Sequence, residues 1–227
     1  MKSALVKMKV RPKNVRFMFL LLKTCLVFGW NLSAQNRVVI DPGHGGKDSG
    51  AIGQKNTIEK EIVLLVAEEI VKLNKAIFND KLDIYLTRYA DTLIGLGDRP
   101  KLAKAINADV FISLHCNHAT NTNAKGIEVY VASGNYDFGN ESIYLGYELQ
   151  RRFKEKLGFR SRGVKFANFQ VLRETANAMP AVLVELGFLS NADESNHYQK
   201  PESYQSVALV LLESLIKNLD RYERVGD

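Results

Sequence analysis

Arg37-Val-Val-Ile-Asp-Pro-Gly-His-Gly-Gly-Lys-Asp-Ser-Gly-Ala-Ile52 runs a short β-branched segment straight into a glycine-rich turn that carries a histidine. Such a segment needs cover on both faces, so it predicts a buried strand over 37–41 of the kind found in parallel sheets. Pro42 fixes φ ahead of the bend, and Gly43, Gly45 and Gly46 let the backbone fold tightly around His44. The imidazole is therefore expected at the end of a buried strand, a good place for a ligand.

Strands and helices alternate downstream. A helix is expected over about 57–78, a strand over 82–87, a helix over about 96–107, and strands over 109–115 and 126–132. A helix over 140–157, with Gln150, Arg151 and Lys154 facing out, precedes strands over 169–172 and 181–186. After Pro201 the apolar residues Val207, Ala208, Leu211, Leu212, Leu215 and Leu219 recur at helical spacing. The pattern predicts an α/β fold, a single domain with a mostly parallel, twisted central sheet flanked by helices and hydrolase- or phosphorylase-like in outline. No internal repeat, low-complexity tract or long linker divides it.

With 227 residues, 46% of them apolar, the chain can bury a sizeable core. Its formal charge of +6 is misleading, because seven of the 31 basic side chains fall in residues 1–34, which hold no acid. The remainder sets 24 basic against 25 acidic groups, so nucleic acid is not an expected partner. Residues 1–34 read as an export signal: a basic start, an apolar run from Phe17 to Trp30 broken by Lys23, and Leu-Ser-Ala34 before Gln35. Cleavage near Ala34 would leave a domain of residues 35–227, located in the periplasm or cell envelope, monomeric and not embedded in a membrane. Cys25 would depart with the signal, leaving Cys116 without an internal disulfide partner.

Three residues besides His44 carry chemistry. Glu59 closes Asn56-Thr-Ile-Glu59, which also matches a capping box. It begins the stripe Ile62, Val63, Val66, Ile70 and Leu73, however, so its carboxylate is expected to point toward the sheet. His115 ends an apolar strand and, if that strand runs parallel to 37–41, emerges at the same carboxyl edge as His44. Strand alternation sends Cys116 to the opposite face, which disfavours a cysteine nucleophile, and His118 lies beyond the strand as a substitute ligand. Glu185 stands near the end of the apolar segment Ala181-Val-Leu-Val-Glu-Leu-Gly-Phe188, where an unpaired charge is costly. Either a cation such as Arg173 compensates it or its pKa rises toward the range of a general acid and base. Two histidines and a carboxylate form the three-ligand set of catalytic zinc sites, with a further carboxylate to move protons.

The sequence resembles the zinc-dependent N-acetylmuramoyl-L-alanine amidases, bacterial cell-wall hydrolases of the amidase 3 type, from about Val38 to Asn191 and beyond. The resemblance is carried by Ile40-Asp-Pro-Gly-His-Gly-Gly46 with Asp48 and Gly50, Glu59-Lys60, Leu86-Thr-Arg88 with Asp91, Arg99, Ser113-Leu-His-Cys-Asn117, Gly126-Ile-Glu-Val129 and Val184-Glu-Leu-Gly-Phe-Leu-Ser-Asn191. It implies one Zn2+ ion held by His44, Glu59 and His115, with Glu185 as the catalytic carboxylate. The substrate it implies is peptidoglycan or a muropeptide, and a protein activator of unknown identity is compatible with it. Cys116 replaces a small residue that is commonly alanine in the family. The short segment 133–140 leaves no room for the regulatory helix some members insert, so an open site is expected. Asn117 and Arg99 are candidate contacts to peptide or sugar, although each is equally suited to holding the fold.

Two rival readings stand beside this one: another metal amidohydrolase on the same scaffold, acting on a free peptide or small amide, and a wall-binding module without catalysis. The second is disfavoured by the presence of all four site residues. A nucleotide site is excluded, since Gly-His-Gly-Gly lacks both the Gly-x-Gly-x-x-Gly and the Walker pattern.

Overall fold

The computed structural model describes residues 35–225, with side chains to Arg221. The expected export signal, residues 1–34, lies outside the described residues. Six strands, β1 (Arg37–Pro42), β2 (Asp83–Leu86), β3 (Val110–Asn117), β4 (Ile127–Ala132), β5 (Ser161–Ala167) and β6 (Ala181–Phe188), form one sheet in the order β2-β1-β3-β6-β4-β5. Every pairing is parallel except that of β4 with β6. The mostly parallel α/β fold expected from the alternating pattern is the fold observed.

Strand alternation divides the side chains into two layers. Val38, Ile40, Val110, Ile112, Leu114, Cys116, Val182, Val184 and Leu186 pack in one core with the apolar stripes of α1 (Glu59–Phe78), α3 (Gly139–Leu157) and α6 (Pro201–Val225). Val39, Phe111, Ala181 and Leu183 face the other way, toward Ala103 of α2 (Asp98–Ala105) and Leu172 of α4 (Gln170–Arg173). Three long helices cover the first face and two short ones the second. A groove of about 540 Å³ remains open on the thin side, lined among others by His44, Leu96, Arg99, Phe169, Val171 and Glu185.

Local expectations fail or are missing in four places. Gln150 of α3, expected to face out, is 3% exposed and donates to the Ile127 and Gly163 carbonyls, which ties the helix to β4 and β5. The segment expected as a strand over 169–172 is instead the short helix α4, Gln170–Arg173, with Phe169 in extended conformation just before it. Strand β5 falls in a segment with too many polar residues to show alternation, and it is an edge strand with one paired neighbour, so it needs less apolar surface. The helix α5 (Ala192–His197), which the sequence reading leaves unassigned, follows Asn191, whose side chain accepts from the backbone N–H groups of Asp193 and Glu194 as an N-cap.

At the carboxyl end of β1 a buried ion pair ties the frame together. Asp41 is 0% and Arg99 2% exposed, with Arg99 Nη1 2.7 Å from Asp41 Oδ1. Thr87 Oγ1 and Ser113 Oγ donate to the same carboxylate at 2.6 and 2.7 Å, joining the end of β2 and the middle of β3 to β1. Removing one partner of such a pair strands the other charge in the interior. Arg99→Leu is accordingly expected to lower the unfolding free energy by about 3–5 kcal/mol, read from urea denaturation, whereas a change below about 1 kcal/mol is the outcome for a solvent-screened pair.

Candidate metal centre

The turn after β1 holds His44 in the left-handed region at φ 57°, followed by Gly45 at φ 123° and Gly46 at φ 59°. A histidine with positive φ is uncommon, and this one is fixed from several sides. Arg88, 3% exposed, donates Nε to the Pro42 carbonyl and Nη2 to those of Gly43 and Lys60, at 3.0, 2.8 and 2.8 Å. Arg99 Nη2 donates to the His44 carbonyl itself at 2.9 Å. Lys60 Nζ bridges the Gly46 carbonyl (2.8 Å) and Asp91 Oδ2 (2.6 Å), while Asp91 Oδ1 accepts from Gly46 N at 2.7 Å. Gly43 leaves room for the neighbouring ring, since a Cβ there would lie 2.4 Å from His115 Cε1.

Glu59 is the first residue of α1, but it does not close a capping box. The N-terminal flank Ile58 makes no side-chain cap, and Glu59 N donates instead to the Ala51 carbonyl at 2.9 Å. The carboxylate is thereby free to turn toward the sheet end, where it is 3% exposed. Its Oε1 lies 3.0 Å from His44 Nε2 and 2.9 Å from His115 Nδ1 and accepts from Cys116 N at 2.9 Å; its Oε2 accepts from Ala51 N at 2.7 Å. Burial pushes Glu59 up, yet the hydrogen bonds and charges of His115 and His44 prevail and hold it at about 2. Burial likewise pulls His44 down, and Glu59 and then Asp48 outweigh it, raising the imidazole to about 9.

The side chains of His44, Glu59 and His115 offer three ligand atoms within 4.8 Å of one another. Two imidazole nitrogens and a carboxylate oxygen are the donor types of a catalytic zinc site, in which tetrahedral donors sit roughly 3.4 Å apart. Asp48 Oδ2 lies 2.9 Å from His44 Nδ1 and accepts its N–H, which leaves Nε2, the nitrogen facing Glu59, to offer a lone pair to a metal. The donor set therefore fits a zinc-type ion. His118 is exposed and stands outside this group. Cys116 is buried in the core on the opposite face and its thiol is pushed well above the usual value, chiefly by burial, which removes it as a nucleophile.

Glu185 is placed by register: β6 pairs it with His115 of β3 on one side and with Glu128 of β4 on the other. All three side chains stand on the thin face of the sheet, at the edge where β3 and β6 end. Glu185 is half-buried, and its Oε2 is fully buried without a hydrogen-bond partner among the described residues. Arg173 does not compensate it, bonding to Asn168 instead. Burial, opposed by the positive field of His115 and aided by the charges of Glu59 and Glu128, raises its carboxyl to about 7.

The two remaining sequence candidates are engaged with the protein. Arg99 spends four of its five N–H groups on Asp41 and on the carbonyls of Pro42, His44 and Ile94. Asn117 donates from Nδ2 to Glu128 Oε2 at 3.0 Å and accepts from His118 N at 2.8 Å. Both thus hold the fold around the site. Two acids that the sequence places in the family motifs without a role belong to the site: Asp48, four residues after His44, and Glu128, whose apolar neighbours Ile127 and Val129 give it the same signature as Glu185.

Comparison with known proteins bears on this geometry. A family model described as N-acetylmuramoyl-L-alanine amidase matches residues 38–217. The chain is 35% identical over 185 residues to the uncharacterized protein YqiI of Bacillus subtilis, covering 82% of this chain and 84% of that one. It is 38% identical over 160 residues to the N-acetylmuramoyl-L-alanine amidase LytC of the same organism, covering 70% of this chain and 30% of LytC. Among solved structures, an N-acetylmuramoyl-L-alanine amidase from Clostridium difficile 630 superposes with a TM-score of 0.75 at 33% identity, over 83% of this chain and 98% of that one.

A divalent ion that uses His44 Nε2 must displace a proton from an imidazole held charged up to about pH 9. Zinc binding to the metal-free protein at pH 7 is thus expected to release about one proton, and affinity should climb as pH rises toward 9. Calorimetry in two buffers of different ionisation enthalpy measures this; zinc binding with no proton release would show that His44 is not a donor.

Proposed function

The chain belongs to the N-acetylmuramoyl-L-alanine amidase family, a hydrolase acting on the amide between N-acetylmuramic acid and L-alanine of peptidoglycan, and we propose that it works as a zinc enzyme with Glu185 as its proton-transferring group. The observation that carries the proposal is the meeting of His44, Glu59 and His115 in one group of donors beside a carboxyl raised to about 7. His44, Glu59 and His115 would hold a single zinc ion, which when bound supplies Lewis acidity toward water and carbonyl oxygen.

The chain's own residues do the rest. Asp48 fixes the His44 tautomer, and Arg99 and Arg88 hold the turn that presents it. Glu185, poised near pH 7, takes a proton from the attacking water and returns it to the leaving alanine nitrogen, so that the stem peptide departs as a neutral amine. Arg99 and Asn117 are assigned to positioning the site, in keeping with their protein-bound side chains.

No helix among the described residues is long and apolar enough to cross a membrane. With cell-wall amidases among its relatives, we infer that the chain is exported by residues 1–34 and acts in the periplasm or cell envelope.

Glu185→Gln removes the titrating group while keeping its volume. It should retain stoichiometric zinc and lose on the order of 10²–10⁴ in kcat on purified peptidoglycan, scored by mass spectrometry of released peptides. His44→Ala should lose zinc and activity together. Full activity in Glu185→Gln would sink the assignment.

A further inference from the structure

The amidase reading leaves one built feature of the site without a task. Glu128, 2% exposed, has all its acceptor positions taken: Oε1 receives Arg162 Nε at 2.6 Å and Lys165 Nζ at 2.5 Å, and Oε2 receives Tyr130 Oη at 2.8 Å and Asn117 Nδ2 at 3.0 Å. One carboxylate thus anchors two cations, and a net positive charge remains on the β4–β5 side of the site. The Arg162 guanidinium is stacked 5.0 Å from the Phe188 ring centroid, and its side chain is 30% exposed. Neither Nη1 nor Nη2 of Arg162 donates to another described residue. A guanidinium held by its Nε and one face, with both terminal nitrogens left over, is a preorganised fork for a carboxylate.

The other flank of the catalytic carboxylate has the opposite character. Register places Glu185 directly beside Glu128 across β6 and β4, and Glu128 holds the two cations on the β4–β5 side. On the other side of Glu185, toward β1, the groove is walled by the exposed Leu96 together with Val171 and Leu183, whereas Phe169 packs edge-on against Tyr130 of β4, on the same side as the cations. The substrate is asymmetric in the same sense. Its acyl side is an uncharged lactyl sugar, and its amine side is a peptide whose second residue, D-glutamate, carries a free carboxylate unless that group is amidated.

We propose that Arg162, with Lys165 beside it, receives the free carboxylate of the stem peptide's second residue. The leaving peptide then lies over β4 and β5, and the lactyl sugar lies in the groove on the β1 side, against Leu96. This specificity site rests on the amidase reading above and adds to it the direction in which the scissile amide lies across the sheet.

The test compares two soluble muramoyl tripeptides, whose second residue has its γ-carboxyl tied up in the bond to the third, one with the D-glutamate α-carboxylate free and the other with it amidated as D-isoglutamine, using zinc-loaded enzyme. Wild type should favour the free carboxylate by on the order of tenfold in kcat/KM, mostly through KM. Arg162→Gln should narrow that preference to within about twofold, Arg162→Lys should keep an intermediate value, and Lys165→Gln gives an independent reading if Arg162→Gln folds poorly. A merely structural role for Arg162 predicts equal losses on both substrates, and that result, or a wild type indifferent to amidation, overturns the proposal. Hydrolysis of neither substrate by wild type overturns the amidase reading itself, and the subsite falls with it.

Discussion

A single carboxylate at the first turn of α1 sets the geometry on which the site depends. Burying Glu59 unpaired would cost several kcal/mol, so the fold must bring donors to it. It brings four, two imidazoles and the backbone N–H groups of Cys116 and Ala51, drawn from the turn after β1, the end of β3 and the loop before α1. The stretch from the β1 turn to the start of α1 is thereby tied to the end of β3, more than 50 residues away in sequence. The helix pays for this by giving up its side-chain cap, and the Ala51 carbonyl takes the N–H that a capping residue would have satisfied.

The histidine turn is held from beneath by arginines rather than by packing. Arg88 contacts carbonyl oxygens but forms no carboxylate pair among the described residues, and its guanidinium is lowered from the usual value, mainly by burial and then by the neighbouring Arg99. Two like charges this close persist because each donates four hydrogen bonds and Asp41 balances Arg99. The arrangement fixes carbonyl groups whose directions a glycine-rich turn would otherwise leave open. A backbone chosen for its bending freedom is made rigid by side chains from β2's end and from α2.

Long apolar strands and the inward face of α1 were legible in sequence because burial imposes a strict period on them, and those same periods pointed Glu59 and Glu185 at the site. Strand β5 was not, since an edge strand with Arg162, Lys165 and an exposed Phe166 displays no such period. The capping box at Asn56 shows the limit of local pattern: the spacing is right, but Lys55 and Asn56 take positive φ in a 3-10 turn, and tertiary demand for the carboxylate overrides the motif. The roles of Arg99 and Asn117 were undecidable from sequence for a related reason. Whether a polar side chain faces substrate or protein depends on acceptors contributed by other strands, here Asp41 and Glu128.

Glu128 and Glu185 make the last step of the argument, because they are register neighbours on one face of one sheet with opposite surroundings. Glu128 accepts four hydrogen bonds, two of them from cations, which outweigh its burial and keep its carboxyl below the usual range. Glu185 has a buried oxygen with no partner and is raised to about 7. Part of that rise comes from Glu128 itself, so the satisfied acid helps to keep its neighbour protonatable. Two carboxyl groups of one residue type are thus separated into an anchor and a proton carrier by what the adjoining strands supply. The separation depends on β5, the strand least visible in sequence, because Arg162 and Lys165 are the cations that make Glu128 the anchor.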